Sequence, residues 1–282
     1  MRTGLGLLSH DAGPEIGPKL ACNFEGSAQD AGVIGDDAEA SIPRAAGPDF
    51  RTTHWSVVLT ARADDSSQAA DALSQLCRTY WYPLYAYIRR RGHDPHDAQD
   101  LTQEFFARLL ERNFLAAVRQ ERGKFRWFLL SALKRFLANE WNRDHAAKRG
   151  SGHAVVSLDE ETAEGRYRYE VADQTTPDML YDQSWAMTVL EQAQDQLQRE
   201  YEAGSRGPIF EQLKVFLSGD RAPISHTEAG AVLGMNEGAV KVAVHRLRQR
   251  YRDCLRKQIA QTVSTPAEVD DEIRQLFAAF SG

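Results

Sequence analysis

The sequence predicts an all-α protein made of two small helical domains joined by an acidic linker. Three observations carry that expectation. Apolar residues recur at steps of three and four over most of residues 55–145 and 178–262, no stretch alternates apolar and polar side chains as a strand would, and the segment between is polar, acidic and without a period. A chain of 282 residues, 42% hydrophobic and 26% charged, suits two small domains better than one.

The first 52 residues read as a disordered tail, because Gly and Pro number twelve among the first fifty and no apolar period survives there. Residues 53–149 form the first predicted domain. Leu73, Leu76, Tyr80, Leu84 and Ile88 make one buried stripe, and a turn follows at Gly92. Asp94 is placed to cap a second helix that has Pro95 at its first position and Ala98, Leu101, Phe105 and Leu109 on its inner face. A third helix, about 124–143, carries Phe125, Leu129, Ala132, Leu133 and Phe136 on one side, and the three suffice for a bundle. Residues 150–177 are the linker. The second domain, 178–262, opens on a helix with Trp185, Val189, Ala193 and Leu197, followed by one with Phe210, Leu213 and Phe216 or Leu217.

The most specific local signal lies between Ser225 and Leu255. Ser225 and Glu228 form a capping box, Gly234 is a left-handed stop and Asn236 caps a longer helix, which together read as helix, tight turn, helix. Val240, Val244, Leu247, Tyr251 and Leu255 line the back of that longer helix, and Lys241, His245, Arg248 and Arg252 its front. An apolar back with a cationic front fits a DNA major groove, where residues near the helix start meet base edges and later ones meet phosphates.

The net charge of −6 conceals segregation: residues 119–150 hold nine basic against three acidic residues and 235–257 seven against two, whereas 157–202 hold three against twelve. Basic islands of this kind either bind polyanions or form solvated helix faces. Cys22, Cys77 and Cys254 are scattered and odd in number, so no disulfide framework, metal site or cofactor is expected. The longest apolar run, FLLSAL at 128–133, is far short of the ~20 residues a membrane span needs, and with no secretory signal the expected location is the cytoplasm. His93, His96, Asp97 and Asp100 cluster beside Asp94, but no nucleophile or phosphate loop accompanies them, so the chain does not read as an enzyme.

The segment SHTEAGAVLGMNEGAVKVAVHRLRQRYRDCL at 225–255 resembles the promoter-reading domain of extracytoplasmic-function (ECF) RNA polymerase sigma factors, through Glu228, Leu233, Gly234, the run 238–241, and 245–247. Gly230 departs from it, since alanine is usual there and glycine would loosen the first helix. DAQDLTQEFFARLLER at 97–112 resembles the family's helix for the clamp helices of the polymerase's largest subunit. KFRWFLLSALKRFLANEWNRDHAAKRG at 124–150 resembles its minus-ten helix, although Phe128 replaces a usual tryptophan and Ser131 a usual arginine.

The resemblance implies core-polymerase contacts at Asp100, Gln103, Glu104, Arg108 and Glu111. It implies minus-ten contacts at Lys124, Arg126, Trp127, Ser131, Lys134, Arg135, Trp141 and Asn142, with the loop 113–123 beside them. It implies minus-thirty-five contacts at Asn236, Glu237, Gly238, Lys241, Val242, His245, Arg246, Arg248 and Arg252. Aromatic rings among cations suit unpaired bases and their phosphates. The implied partners are core polymerase, through its clamp helices and flap, promoter DNA and an anti-sigma factor. A helix-turn-helix regulator acting without polymerase is the alternative, and it would have no use for Trp127 and Lys134.

Residues 263–282 are a helical extension. Thr265 and Glu268 form a capping box around Pro266, and Val269, Ile273, Leu276 and Phe280 form a stripe that must be buried. Two outcomes are expected: a strut against the second domain, or a cover over its DNA-reading face with Asp270, Asp271 and Glu272 masking Lys241 or Arg252.

Overall fold

A computed structural model describes residues 66–110, 124–144, 160–170, 175–217, 222–263 and 265–281. The tail, the loop 113–123 and Glu111 lie outside the described residues. Among the described residues nine α-helices follow in order: α1 (Ser66–Arg90), α2 (Pro95–Leu110), α3 (Phe125–Asp144), α4 (Glu160–Glu170), α5 (Pro177–Ala203), α6 (Gly207–Leu213), α7 (His226–Leu233), α8 (Glu237–Ala260) and α9 (Ala267–Ala278), with a 3-10 turn (Lys214–Phe216) after α6. No strand occurs among the described residues. None of the described helices is long and apolar enough to cross a membrane.

The described residues divide into two compact units. The larger holds residues up to Arg199 and from Arg250 onward, and the smaller holds 200–249. In the larger unit α1 is the central helix, and its sequence explains why. From Tyr80 to Ile88 every residue is buried, so this half of the helix is apolar on all sides and has to be enclosed. Trp81 stacks on Tyr85 with ring centroids 5.4 Å apart, and Phe125 of α3 meets Tyr80 edge-on at 5.1 Å. The expected inner faces are buried: Leu76, Tyr80, Leu84 and Ile88; Ala98, Phe105 and Leu109; Phe125, Leu129, Ala132, Leu133 and Phe136. Leu101 is only half-buried. Asp94 caps α2 as the sequence predicts, its Oδ1 accepting the Asp97 N–H at 2.9 Å.

Within the predicted linker, residues 160–170 form α4, which the sequence did not disclose. The cause is tertiary. Glu164 accepts hydrogen bonds from Arg89 Nε and Nη2 and from the Tyr85 hydroxyl, each at 2.9 Å, while Arg166 lies over the Tyr82 ring at 4.1 Å. A polar segment with one buried residue pair, Ala163 and Glu164, has no period to read.

In the smaller unit Phe210, Leu213, Phe216, Leu217, Ala229, Val240, Val244 and Leu247 are buried together. Phe216 stacks on His226 at 4.7 Å.

Candidate nucleic-acid interface

The helix-turn-helix is assembled by its caps. Ser225 Oγ accepts the Glu228 N–H at 3.1 Å while the Glu228 carboxylate accepts the Ser225 N–H at 2.6 Å. These bonds to Ser225 hold the Glu228 carboxyl below its ordinary range. Gly234 ends α7 with φ 67°, and Asn236 Oδ1 accepts the Ala239 N–H at 2.8 Å to start α8. Gly230 does not loosen α7, contrary to expectation. A Cβ there would stand 2.5 Å from the Met235 carbonyl oxygen, and the Met235 N–H donates to the Gly230 carbonyl at 2.9 Å. Glycine is what lets the turn close.

The start of α8 presents Asn236, Glu237, Gly238, Lys241, Val242, His245 and Arg246 on exposed surface. Val242 is 52% exposed, so an apolar contact stands beside the polar ones. Lys241 pairs with Glu237 at 2.7 Å, one turn earlier. Arg248, expected at a phosphate, is engaged within the chain: its Nε and Nη2 donate to the Phe216 carbonyl at 3.1 and 2.9 Å, tying α8 to the 3-10 turn. Arg252 is half-buried, in the part of α8 that belongs to the larger unit.

On α3 the outward residues Trp127, Ser131, Lys134, Arg135 and Ala138 are exposed, with Trp127 at 54%. Lys134 forms an ion pair with Asp178 that keeps its ammonium above the ordinary range, and it lies 5.9 Å from the Tyr87 ring centre. Phe128, the departure from tryptophan, packs inward against Phe125. Trp141 and Asn142 fall within α3, but their side chains are outside what is described.

The beginning of α3 differs from expectation. Arg126 is 4% exposed, stacked on Trp185 at 4.3 Å, and bonded to Glu272, Asp182 and Gln275. Burial works against its charge, but the carboxylates of Glu272 and Asp182 outweigh it and raise the guanidinium above its ordinary range. Lys124 contacts Asp271 and, at 2.8 Å, Glu272. Both cations lie under α9 and not on the open face. The C-terminal extension therefore meets neither expectation in full: its Asp270 pairs with Arg256, and its other acids reach the start of α3, not Lys241. Its capping box is half formed, with the Glu268 carboxylate accepting the Thr265 N–H at 3.3 Å and no side-chain cap at Pro266.

On α2, Asp100 and Glu104 are exposed and Gln103 is half-buried. Arg108 bridges Glu104 and, at 2.7 Å, Glu140 of α3.

Sequence reasoning missed Asp182, Glu164 and Gln275, and it paired the acids of α9 with different cations. An acid set directly beside the apolar stripe of the last helix was the one available signal for the burial of Glu272.

Comparison with known proteins agrees with this geometry. The Sigma-70 region 2 family matches residues 76–146, which span the second half of α1, α2 and α3. The ECF RNA polymerase sigma factor SigE of Mycolicibacterium smegmatis is 28% identical over 204 residues, covering 72% of this chain and 69% of that protein. No solved structure matches the chain. The region 2 match and an ECF relative aligned over most of both chains support an RNA polymerase sigma factor of the ECF type.

Proposed function

We propose that residues 53–149 and 178–262 divide the work of a two-domain sigma factor in the cytoplasm, α2 docking on the clamp helices of core polymerase and the second domain on its flap. The exposed start of α8 reads the minus-thirty-five major groove through Lys241, Val242, His245 and neighbouring residues, with Arg246 on phosphate. The exposed face of α3 holds the melted minus-ten strand, bases stacking on Trp127 while Lys134 and Arg135 attract the backbone. Captured bases offset the few kcal/mol of stacking lost at each, so strand separation is driven by binding. Nucleotide chemistry belongs to the polymerase, and an anti-sigma factor is a further expected partner.

The observation that carries this is the exposure of Trp127 on the outward face of a helix whose other face is packed into the core, with Ser131, Lys134 and Arg135 on the same face. A repressor reading duplex DNA has no need of it. Run-off transcription with core polymerase on a genomic fragment library tests the proposal. Transcripts sharing an upstream element support it, and duplex binding without any transcript would favour a regulator that works without polymerase.

A further inference from the structure

Glu272 is completely buried, with Lys124 Nζ 2.8 Å from one carboxylate oxygen and Arg126 Nε 3.1 Å from the other. Its neighbours on the stripe, Val269, Ile273 and Leu276, are apolar and buried, and an apolar residue at 272 would serve a strut at least as well. Replacing a buried ion pair by packed hydrocarbon is commonly neutral or stabilising. An acid here is explained if the two cations have to remain cations for another purpose.

Those cations stand at a distinctive place. Lys124 immediately precedes α3 and Arg126 is its second residue, so both lie at the positive end of the helix dipole, where cations are unfavourable unless an anion faces them. Of the first turn's backbone donors, the Phe125 N–H has no partner within the helix, while those of Trp127 and Phe128 reach the Lys124 carbonyl. In this structure the C-terminal segment occupies the cations and the first of those donors. Thr262 O accepts the Phe125 N–H at 3.1 Å, Asp271 and Glu272 take the ammonium, and Glu272 and Gln275 take two edges of the guanidinium, with Asp182 of α5 on the third. Carbonyl and carboxylate oxygens surround a helix start built to receive anions.

We propose that α9 is an internal competitor of DNA phosphate: its Asp271 and Glu272 occupy, in the free factor, the backbone-binding cations at the start of the strand-holding helix. The inference rests on the proposal that α3 faces the promoter strand. When polymerase presents that strand, a phosphate takes the place of the two carboxylates on Lys124 and Arg126, so that one set of anions replaces another around the same cations. Free factor consequently has weak affinity for single strands away from polymerase.

The test uses the full-length chain, a fluorescein-labelled single-stranded DNA oligonucleotide of mixed sequence, and anisotropy over a range of salt. The Asp271→Asn, Glu272→Gln double variant is expected to bind about ten-fold more tightly than wild type. The plot of log K against log salt should steepen by about 0.7, the amount each phosphate newly neutralised on a single strand adds to the slope. Adding Lys124→Ala to that variant should remove most of the increase in affinity. Unchanged affinity and slope in the double variant, while Trp127→Ala weakens binding, would overturn the competitor role and leave the strand-holding face standing. If Trp127→Ala also has no effect, that face is wrong and the inference falls with it. Should circular dichroism show the double variant unfolded, Asp271→Asn alone decides: its side chain is 45% exposed, binding a few-fold tighter supports the proposal and unchanged binding refutes it.

Discussion

Gly230 illustrates how a single atom sets a turn. Because a methyl group there would meet the Met235 carbonyl at 2.5 Å, Gly230→Ala should force the α7–α8 turn apart and destabilise the smaller unit by about 1–3 kcal/mol. Urea unfolding followed by circular dichroism measures it, and an unmoved midpoint would show that the turn relaxes freely. Arg248 makes the complementary point for charge. Its guanidinium serves the Phe216 carbonyl, so Arg248→Ala should cost about 1–3 kcal/mol of stability and leave the salt dependence of duplex binding unchanged. Arg246→Ala should do the reverse, reducing the salt slope by about one with little change in stability. A slope that falls with Arg248→Ala and not with Arg246→Ala would return Arg248 to the DNA face.

At the scale of elements, one carboxylate accepts the hydrogen bonds that tie α4 to α1, beside the Arg166–Tyr82 and Arg89–Tyr167 ring contacts. Glu164 is kept below its ordinary value of 4.5 chiefly by its hydrogen bonds from Arg89. A depressed folded value means that the stabilisation is fully present above pH 4.5, the unfolded value, and is lost as pH falls through the lower folded value. Amide exchange of α4 should therefore accelerate below about pH 4.5, and Glu164→Gln should show the faster exchange already at about pH 7. Acid-insensitive exchange in wild type would mean that α4 is held by its other contacts. For α3, Trp127 is 54% exposed and its ring centre lies 5.2 Å from the Arg126 guanidinium. Trp127→Ala should alter unfolding by less than about 0.5 kcal/mol, yet weaken open promoter complexes by about 1–3 kcal/mol, read as their lifetime under competitor challenge.

For the whole molecule, the proposed function gives the segregated charge different partners. Asp100 is exposed on α2, with His96 nearby at 3.3 Å, so Asp100→Lys should leave folding intact and sharply reduce co-purification with core polymerase. Retained co-purification would move the docking surface elsewhere. Glu104 is less suitable for that experiment, because its partner Arg108 also reaches Glu140 and a reversed charge would disturb α3. The acids of 157–202 are likewise not idle: Glu164, Asp178, Asp182 and Glu191 each pair with a cation of the same unit.

What the amino-acid sequence determined alone was whatever is decided within about four residues or one helical period. The caps at Asp94, Ser225 and Asn236, the left-handed stop at Gly234 and the buried stripes of α1, α3, α5 and α8 were legible because their bonding partners or repeats lie within reach along the chain. Tertiary structure alone decided the partners of those long charged side chains that reach beyond their own helix. Arg89 finds Glu164 across 75 residues, Arg248 finds the Phe216 carbonyl across 32, and Arg126 finds Glu272 across 146. Periodicity tells which face of a helix is buried and says nothing of what it is buried against. A cation on a predicted outer face reads the same whether it will meet a phosphate or a carboxylate of its own chain, because both satisfy the same charge.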